Sequence, residues 1–202
     1  MKLLHLDSSI LGTDSVSRRL SADIVAHFKS SHPDIAVITR DLAADPVHHL
    51  SGEHLAVMHG MPSKNDTINA DVAKGNAYLD ELFAADILVI GTPMYNLSIP
   101  TSLKAWIDRV SIAGKTFQYT ATGPEGLLNN KKAIIASARG GVYSTGSPAA
   151  ALEHQESYLT GLLAFLGVKD VTVIRAEGLA FGADAKTSAL QHAAAQIAAL
   201  PA

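Results

Sequence analysis

No cysteine occurs among the 202 residues. That excludes disulfides, thiolate chemistry and cysteine-bound zinc, and it fits a reducing compartment. A strong charge of one sign is missing too: 16 Lys and Arg stand against 19 Asp and Glu, a net of −3. So balanced a chain has neither the basic surface of a nucleic-acid binder nor the charge of a disordered tail. No apolar run approaches the roughly 18 residues of a membrane span. No charged segment with a long apolar run precedes the first strand, so the reading expects no signal peptide and no membrane partner. It expects a soluble protein of the cytoplasm. With 48% hydrophobic residues the chain can still fill a large core, and its length suits one domain over residues 1–202.

Short apolar runs alternate with helical patterns. "KLLHLD", "DIAVITRDL", "DILVIG", "KKAIIAS" and "KDVTVIRA" read as five strands. Between them, Leu20, Ile24 and Phe28 follow a four-residue spacing. Leu103, Trp106, Ile107 and Val110 fall at i, i+3, i+4 and i+7, and Leu159, Leu162, Leu163 and Leu166 repeat the pattern. Thr67 to Ala85 reads as a helix with Ile68, Val72, Leu79, Leu82 and Phe83 inward. A short helix is expected near Glu53, and a closing helix over Asp184 to Ala199 with Leu190 and Ile197 inward. Strands alternating with helices predict an α/β fold with a parallel sheet and right-handed crossovers. Segment 113–130 is the main irregular insertion. Its two aromatics and Gly-Pro turn suit a hairpin overhanging a site.

In an open parallel sheet, ligands bind beyond the carboxyl ends of the strands. Three loops there stand out. "SSILGTDSVS" follows the first strand. A helix cap needs one residue, Asp14 or Ser15, yet Ser9, Ser15 and Ser17 crowd the same helix start. Free N–H groups and the helix dipole make that end suit a phosphate. The chain has neither GxxxxGK[ST] nor GxGxxG, so a terminal monophosphate is a better guest than a triphosphate or a dinucleotide. "TPMYNLSIPTSLKAWID" follows the third strand. Ser98 as cap and Pro100 in the first turn account for the connection, but not for Met94, Tyr95 and Asn96. That trio suits a flat heteroaromatic ring. "ARGGVYSTG" follows the fourth strand, where Gly140 and Gly141 let backbone amides approach a ligand and Tyr143 adds an aromatic.

These stretches, with "AGKTFQYTATGPEGL", resemble the FMN-dependent NADH-azoreductases, a quinone-reductase family of flavodoxin-like fold. The similarity runs from Met1 to about Gly182. It implies a three-layer sandwich around a five-stranded parallel sheet of order 2-1-3-4-5, bound FMN and a homodimer. It also implies a ping-pong cycle with NADH or NADPH as donor and a quinone or azo compound as acceptor. By the resemblance, Ser9, Ser15, Val16 and Ser17 hold the phosphate. Met94, Tyr95, Asn96 and Leu97 line the ring, and Ala138, Arg139, Gly140 and Gly141 meet its other edge. Phe117, Tyr119 and Tyr143 fall to the acceptor site, the first two across the dimer interface or over their own site. The chain departs from the family pattern at Ala138, Val16 and Tyr143; a backbone contact survives such changes and a side-chain contact does not.

The chemistry belongs to the flavin, and no side chain need be a nucleophile. Two other readings stay open. A flavodoxin-type electron carrier is usually strongly acidic, whereas the net charge here is mild. A receiver domain needs a carboxylate cluster that Asp7 alone does not make. The nine His suggest no metal site: His48–His49, and His154 with Glu153 and Glu156, read as solvated surface. The Arg18–Arg19 pair reads as solvated as well, with one of them free to lend charge to a phosphate. Trp106 reads as core or interface.

Overall fold

The computed structural model describes residues 1–201. Five parallel strands form the central sheet: β1 (Lys2–Asp7), β2 (Ala36–Asp41), β3 (Ile87–Pro93), β6 (Lys132–Ala138) and β7 (Asp170–Ala176). β4 (Phe117–Thr120) and β5 (Gly123–Gly126) pair antiparallel as a separate hairpin. The order across the sheet is therefore β2-β1-β3-β6-β7. The expected 2-1-3-4-5 counts only the sheet strands; the hairpin's two short strands shift the last two numbers.

Strand alternation sends side chains to two cores. Leu4, Leu6, Leu88, Ile90 and Ile135 face α3 (Asp66–Ala84), α4 (Thr101–Val110) and α5 (Glu156–Leu166). Leu3, Ile87, Val89 and Ile134 face α1 (Val16–Ser31) and α6 (Ala183–Ala198). β3 and β6 are covered on both faces, so their runs are continuously apolar instead of alternating. α2 (Gly52–Met58) packs on α3, capped by Ser51. Trp106 is core, 3% exposed. No described helix is long and apolar enough to cross a membrane.

Two local expectations are corrected. Phe83 is 43% exposed, because the inward stripe of α3 runs through Asp71, Gly75 and Tyr78 as well as Val72, Leu79 and Leu82. A polar Asp71 and a bare Gly75 there make room for the buried Arg109 of α4, which a stripe of apolar residues does not announce. Ser98 does not cap α4. Pro100 is the N-cap residue, and the Ser98 hydroxyl donates instead to the carbonyl of His154 at 3.2 Å.

The hairpin stands away from the strand ends that carry the loops. α5 starts beside Arg139, and its last residue, Leu166, accepts from the Leu128 amide at the foot of the hairpin (2.8 Å). Eleven helical residues separate the two ends, roughly 16 Å. Phe117 is buried against Phe165 of α5, and Tyr119 stacks edge-on to Phe117 while 75% exposed. The hairpin does not overhang this chain's own loops, because the Gly126 backbone is packed against Gly167 at the far end of α5.

β1 and β3 are held together where they emerge. The Ser8 amide and hydroxyl both donate to the Gly91 carbonyl, at 3.2 and 2.8 Å. Gly91 leaves room beside Asp7, whose carboxylate would lie 2.4 Å from a Cβ added there. Gly91→Ala should therefore overpack the strand junction and lower unfolding free energy by about 1–3 kcal/mol. Urea denaturation measures this; an unchanged midpoint would show that the junction yields freely.

Candidate functional site

β1 lies between β2 and β3, so the chain leaves it in one direction and returns on the other side. The crevice beyond the ends of β1 and β3 is the topological switch point of the sheet. A cavity of about 260 Å³ opens there. Ser9, Ser15, Val16, Ser17, Met94, Tyr95, Ala138, Arg139 and Gly140 all line it.

The first wall is the start of α1. A short turn over Gly12–Asp14 leads into Ser15, whose hydroxyl accepts from the Arg18 amide at 3.3 Å and so caps the helix. Ser15 and Ser17 hydroxyls lie 3.1 Å apart, and Ser17 is fully buried. Ser9, equally buried, has its hydroxyl 3.3 Å from the Tyr95 hydroxyl. Among the described residues, no acceptor takes the amides of Val16 and Ser17. The Ser15 hydroxyl thus meets the Arg18 amide, while the Val16 and Ser17 amides stay without an acceptor among the described residues, and Ser9, Ser15, Val16 and Ser17 line one small cavity.

Arg18 supports this wall from behind. Its Nε and Nη2 donate to the Ser9 carbonyl at 3.1 and 2.7 Å, and its two Nη atoms hold Asp41 at 2.7 Å each. The Asp41 hydrogen bond lifts the Arg18 pKa above its ordinary value, and the same bond holds Asp41 below the usual carboxylate range. Only Arg19 of the sequence-read pair is solvated. A carboxylate 23 residues further on, at the end of β2, is the partner that local reading could not supply.

The second wall is the tip after β3. Tyr95 and Ser98 exchange backbone hydrogen bonds at 2.9 and 3.1 Å around Asn96 and Leu97. Both central residues have positive φ, 48° and 73°, the mark of a type I′ turn. For a leucine that conformation costs about 1–2 kcal/mol. The Leu97 carbonyl offsets part of it by accepting from His154 at 3.1 Å. As in the first wall, the Asn96 and Leu97 amides meet no acceptor among the described residues. Neither residue lines the cavity itself; they form the turn at its rim.

The third wall follows β6. Arg139 contributes backbone, because its side chain is turned inward and wholly buried. The guanidinium pairs with Glu156 at 2.6 Å and Glu153 at 3.1 Å, and Nε donates to Gln155 at 3.1 Å. Glu153 and Glu156 are therefore not solvated beside His154, as their polarity alone suggests; a buried cation draws them in. Burial works to raise the pKa of Glu153, and the amides of Ser157, Glu156 and Gln155, with Arg139, outweigh it and hold the pKa low. Gly141 packs under Tyr143, whose ring carbons would lie 3.0 Å from an added Cβ. Among the described residues, no three metal-ligating side chains gather.

Phe117 and Tyr119 do not join this cavity. Leu11, Pro93, Leu179 and Lys186 line it without having been singled out from sequence, and Asp14, read there only as a candidate cap, lines it too. Lys186 sits in the first turn of α6, an element the loop-by-loop reading did not connect to the β1 loop. It makes no ion pair among the described residues.

Comparison with known proteins agrees with this arrangement. A family model described as a flavodoxin-like fold matches residues 1–200. A protein named FMN-dependent NADH:quinone oxidoreductase from Bradyrhizobium sp. is 52% identical over 198 residues, covering 96% of this chain and 98% of its own. One of the same name from Xanthomonas campestris pv. campestris is 52% identical over the full length of both chains. Among solved structures, an FMN-dependent NADH-azoreductase from Bacillus anthracis in complex with FMN superposes with a TM-score of 0.86. It is 25% identical, over 98% of this chain and 96% of that one.

Proposed function

The chain belongs to the flavodoxin-like family and, within it, to the FMN-dependent NADH:quinone oxidoreductases, and on that premise we propose that it passes two electrons from NADH to quinones and azo compounds by a ping-pong mechanism. It is an oxidoreductase, and its cofactor is FMN. The observation that carries the proposal is the set of backbone amides with no acceptor among the described residues, at Val16, Ser17 and Gly140 in the cavity lining and at Asn96, Leu97 and Gly141 in the loops beside it. A phosphate and a ring with polar edges fit such a donor set, in which the Ser17 amide belongs to a buried residue and the Asn96 and Gly140 amides to exposed ones open to a ligand.

When bound, FMN supplies the redox chemistry, taking hydride from the nicotinamide and passing electrons to the acceptor. The protein holds and orients. Ser9, Ser15 and Ser17 would grip the phosphate with their hydroxyls and the Val16 and Ser17 amides, at the positive end of α1. Arg18 keeps the Ser9 carbonyl turned away from it, and Lys186 supplies a counter-charge. Met94, Tyr95, Asn96 and Leu97 would hold the ring from one side. Ala138, Arg139, Gly140 and Gly141 would meet its other edge through the backbone. Tyr143 stands over Gly141, where it would flank an incoming acceptor.

Initial rates measured at several NADH and quinone concentrations should give parallel double-reciprocal lines. Intersecting lines would overturn the ping-pong order, and a flavodoxin-type carrier would not consume NADH steadily at all.

We also propose a homodimer, in which the exposed Tyr119 and its hairpin reach the partner's acceptor site. The support is the exposure of Tyr119 at the end of a hairpin that its own site does not use. Sedimentation should give a dimer at micromolar concentration; a fully active monomer would refute it.

Ser17→Ala should weaken FMN binding roughly 10- to 100-fold, the loss of one hydrogen bond to a charged group. Riboflavin, which lacks the phosphate, should bind the variant as it binds the parent. Equal losses for FMN and riboflavin would show that Ser17 serves only the helix start.

A further inference from the structure

The loop over residues 139–144 sorts its backbone groups to opposite sides. The carbonyls of Arg139, Gly140 and Gly141 accept from Leu179 (3.2 Å), Ala180 (3.0 Å) and Gly178 (2.8 Å). In a planar trans peptide the C=O and the following N–H point in opposite directions. The amides of Gly140, Gly141 and Val142 are therefore turned away from residues 178–180. None has an acceptor among the described residues.

Two anchors keep the loop in that orientation. At its start, the buried Arg139 guanidinium is fixed to Glu153, Gln155 and Glu156. At its end, one oxygen of Glu177 accepts from the Tyr143 amide at 2.9 Å and the Ser144 amide at 3.2 Å. The same oxygen lies 3.7 Å from Arg139 Nη1, a buried donor with no hydrogen-bond partner of its own. Glu177 thus ties the far end of the loop to the cation that holds the near end. It does so from outside: Glu177 lines a neighbouring cavity with Val142, Arg175 and Phe181, not the one beside Ser9.

We propose that Glu177 is a positioning residue for flavin binding, setting the Gly140 and Gly141 amides against the ring edge through its grip on Tyr143 and Ser144. The inference rests on the FMN reading above. It separates reach from charge. Glu177→Gln keeps an acceptor at the same distance and removes the charge. Glu177→Asp keeps the charge and withdraws the acceptor by one methylene.

Three quantities are measured on the purified full-length protein: affinity for FMN, affinity for riboflavin, and the two-electron midpoint potential of the bound flavin. Positioning predicts that Glu177→Asp weakens FMN and riboflavin alike, about tenfold, and lowers the potential as amide donors leave an edge that gathers negative charge. Glu177→Gln should change both affinities less than about threefold. Loss of affinity for FMN alone in Glu177→Asp would overturn the proposal, since the ring is common to both ligands. So would a larger effect in Glu177→Gln than in Glu177→Asp, which would make Glu177 a charge and not a clamp. A fall in apo-protein stability with all three quantities unmoved would leave Glu177 a purely structural residue and overturn it as well. Parent protein that binds neither flavin would fail the FMN reading itself, and the parent titration reads this before any variant is made.

Discussion

The third wall of the site depends on one buried cation. Arg139 comes directly after β6, where the chain must turn, and its side chain is sent down into the protein instead of out toward the crevice. A guanidinium cannot be buried alone; its desolvation must be met by anions and acceptors of good geometry. Here the partners come from three places: Glu153 and Glu156 around the start of α5, Gln155 between them, and Glu177 after β7. Each partner does a second task. Glu153 accepts the first free amides of α5, from Gln155, Glu156 and Ser157. Gln155 donates to the Thr92 carbonyl near the end of β3. Glu156 holds Arg175 of β7. Charge satisfaction at one residue therefore locks β3, β6, β7 and α5 at the edge where ligands bind.

The first wall, at the start of α1, follows the same plan on a smaller scale. Arg18 is spent on Asp41 and on the Ser9 carbonyl. Its charge is neutralised by a carboxylate, so its main effect on the cradle is geometric. The cavity itself is lined by hydroxyls and amides together with Lys186 and Asp14, neither of which is in an ion pair among the described residues. Paired charges shape the walls from behind, while hydroxyls and amides stand in the cavity beside the unpaired Lys186 and Asp14.

This division explains what could be read from the sequence. The sheet strands, the helices and the three loops were legible because each is a local pattern: an apolar run, a four-residue stripe, a serine or glycine cluster beside a strand end. Ser9, Ser15, Ser17, Met94, Tyr95 and Gly140 line one cavity for that reason. The supporting charges were not legible. Arg18 with Asp41, and Arg139 with Glu153, Glu156 and Glu177, are polar residues whose partners lie on other elements. Sequence polarity alone assigns them to the surface. The hairpin was legible as a hairpin but not in its place, because its direction is set by the packing of Gly126 on Gly167.

The same division bears on the three departures from the family pattern. Val16 leaves its backbone amide without an acceptor among the described residues whatever its side chain, so the proposed cradle would use it through the backbone. Ala138 is the last residue of β6, its carbonyl accepting from Met94 at 2.8 Å, so its backbone is fixed by the sheet whatever the side chain. Tyr143 is different. Its amide is held by Glu177 while its ring packs over Gly141, so its side chain, unlike the other two, shapes the loop it belongs to. A change at Val16 or Ala138 leaves the backbone scaffold for the cofactor in place. A change at Tyr143 alters what packs over the Gly141 backbone. Of the three departures, Tyr143 is therefore the one whose side chain matters to the loop, while Glu177 holds the loop backbone at the Tyr143 and Ser144 amides.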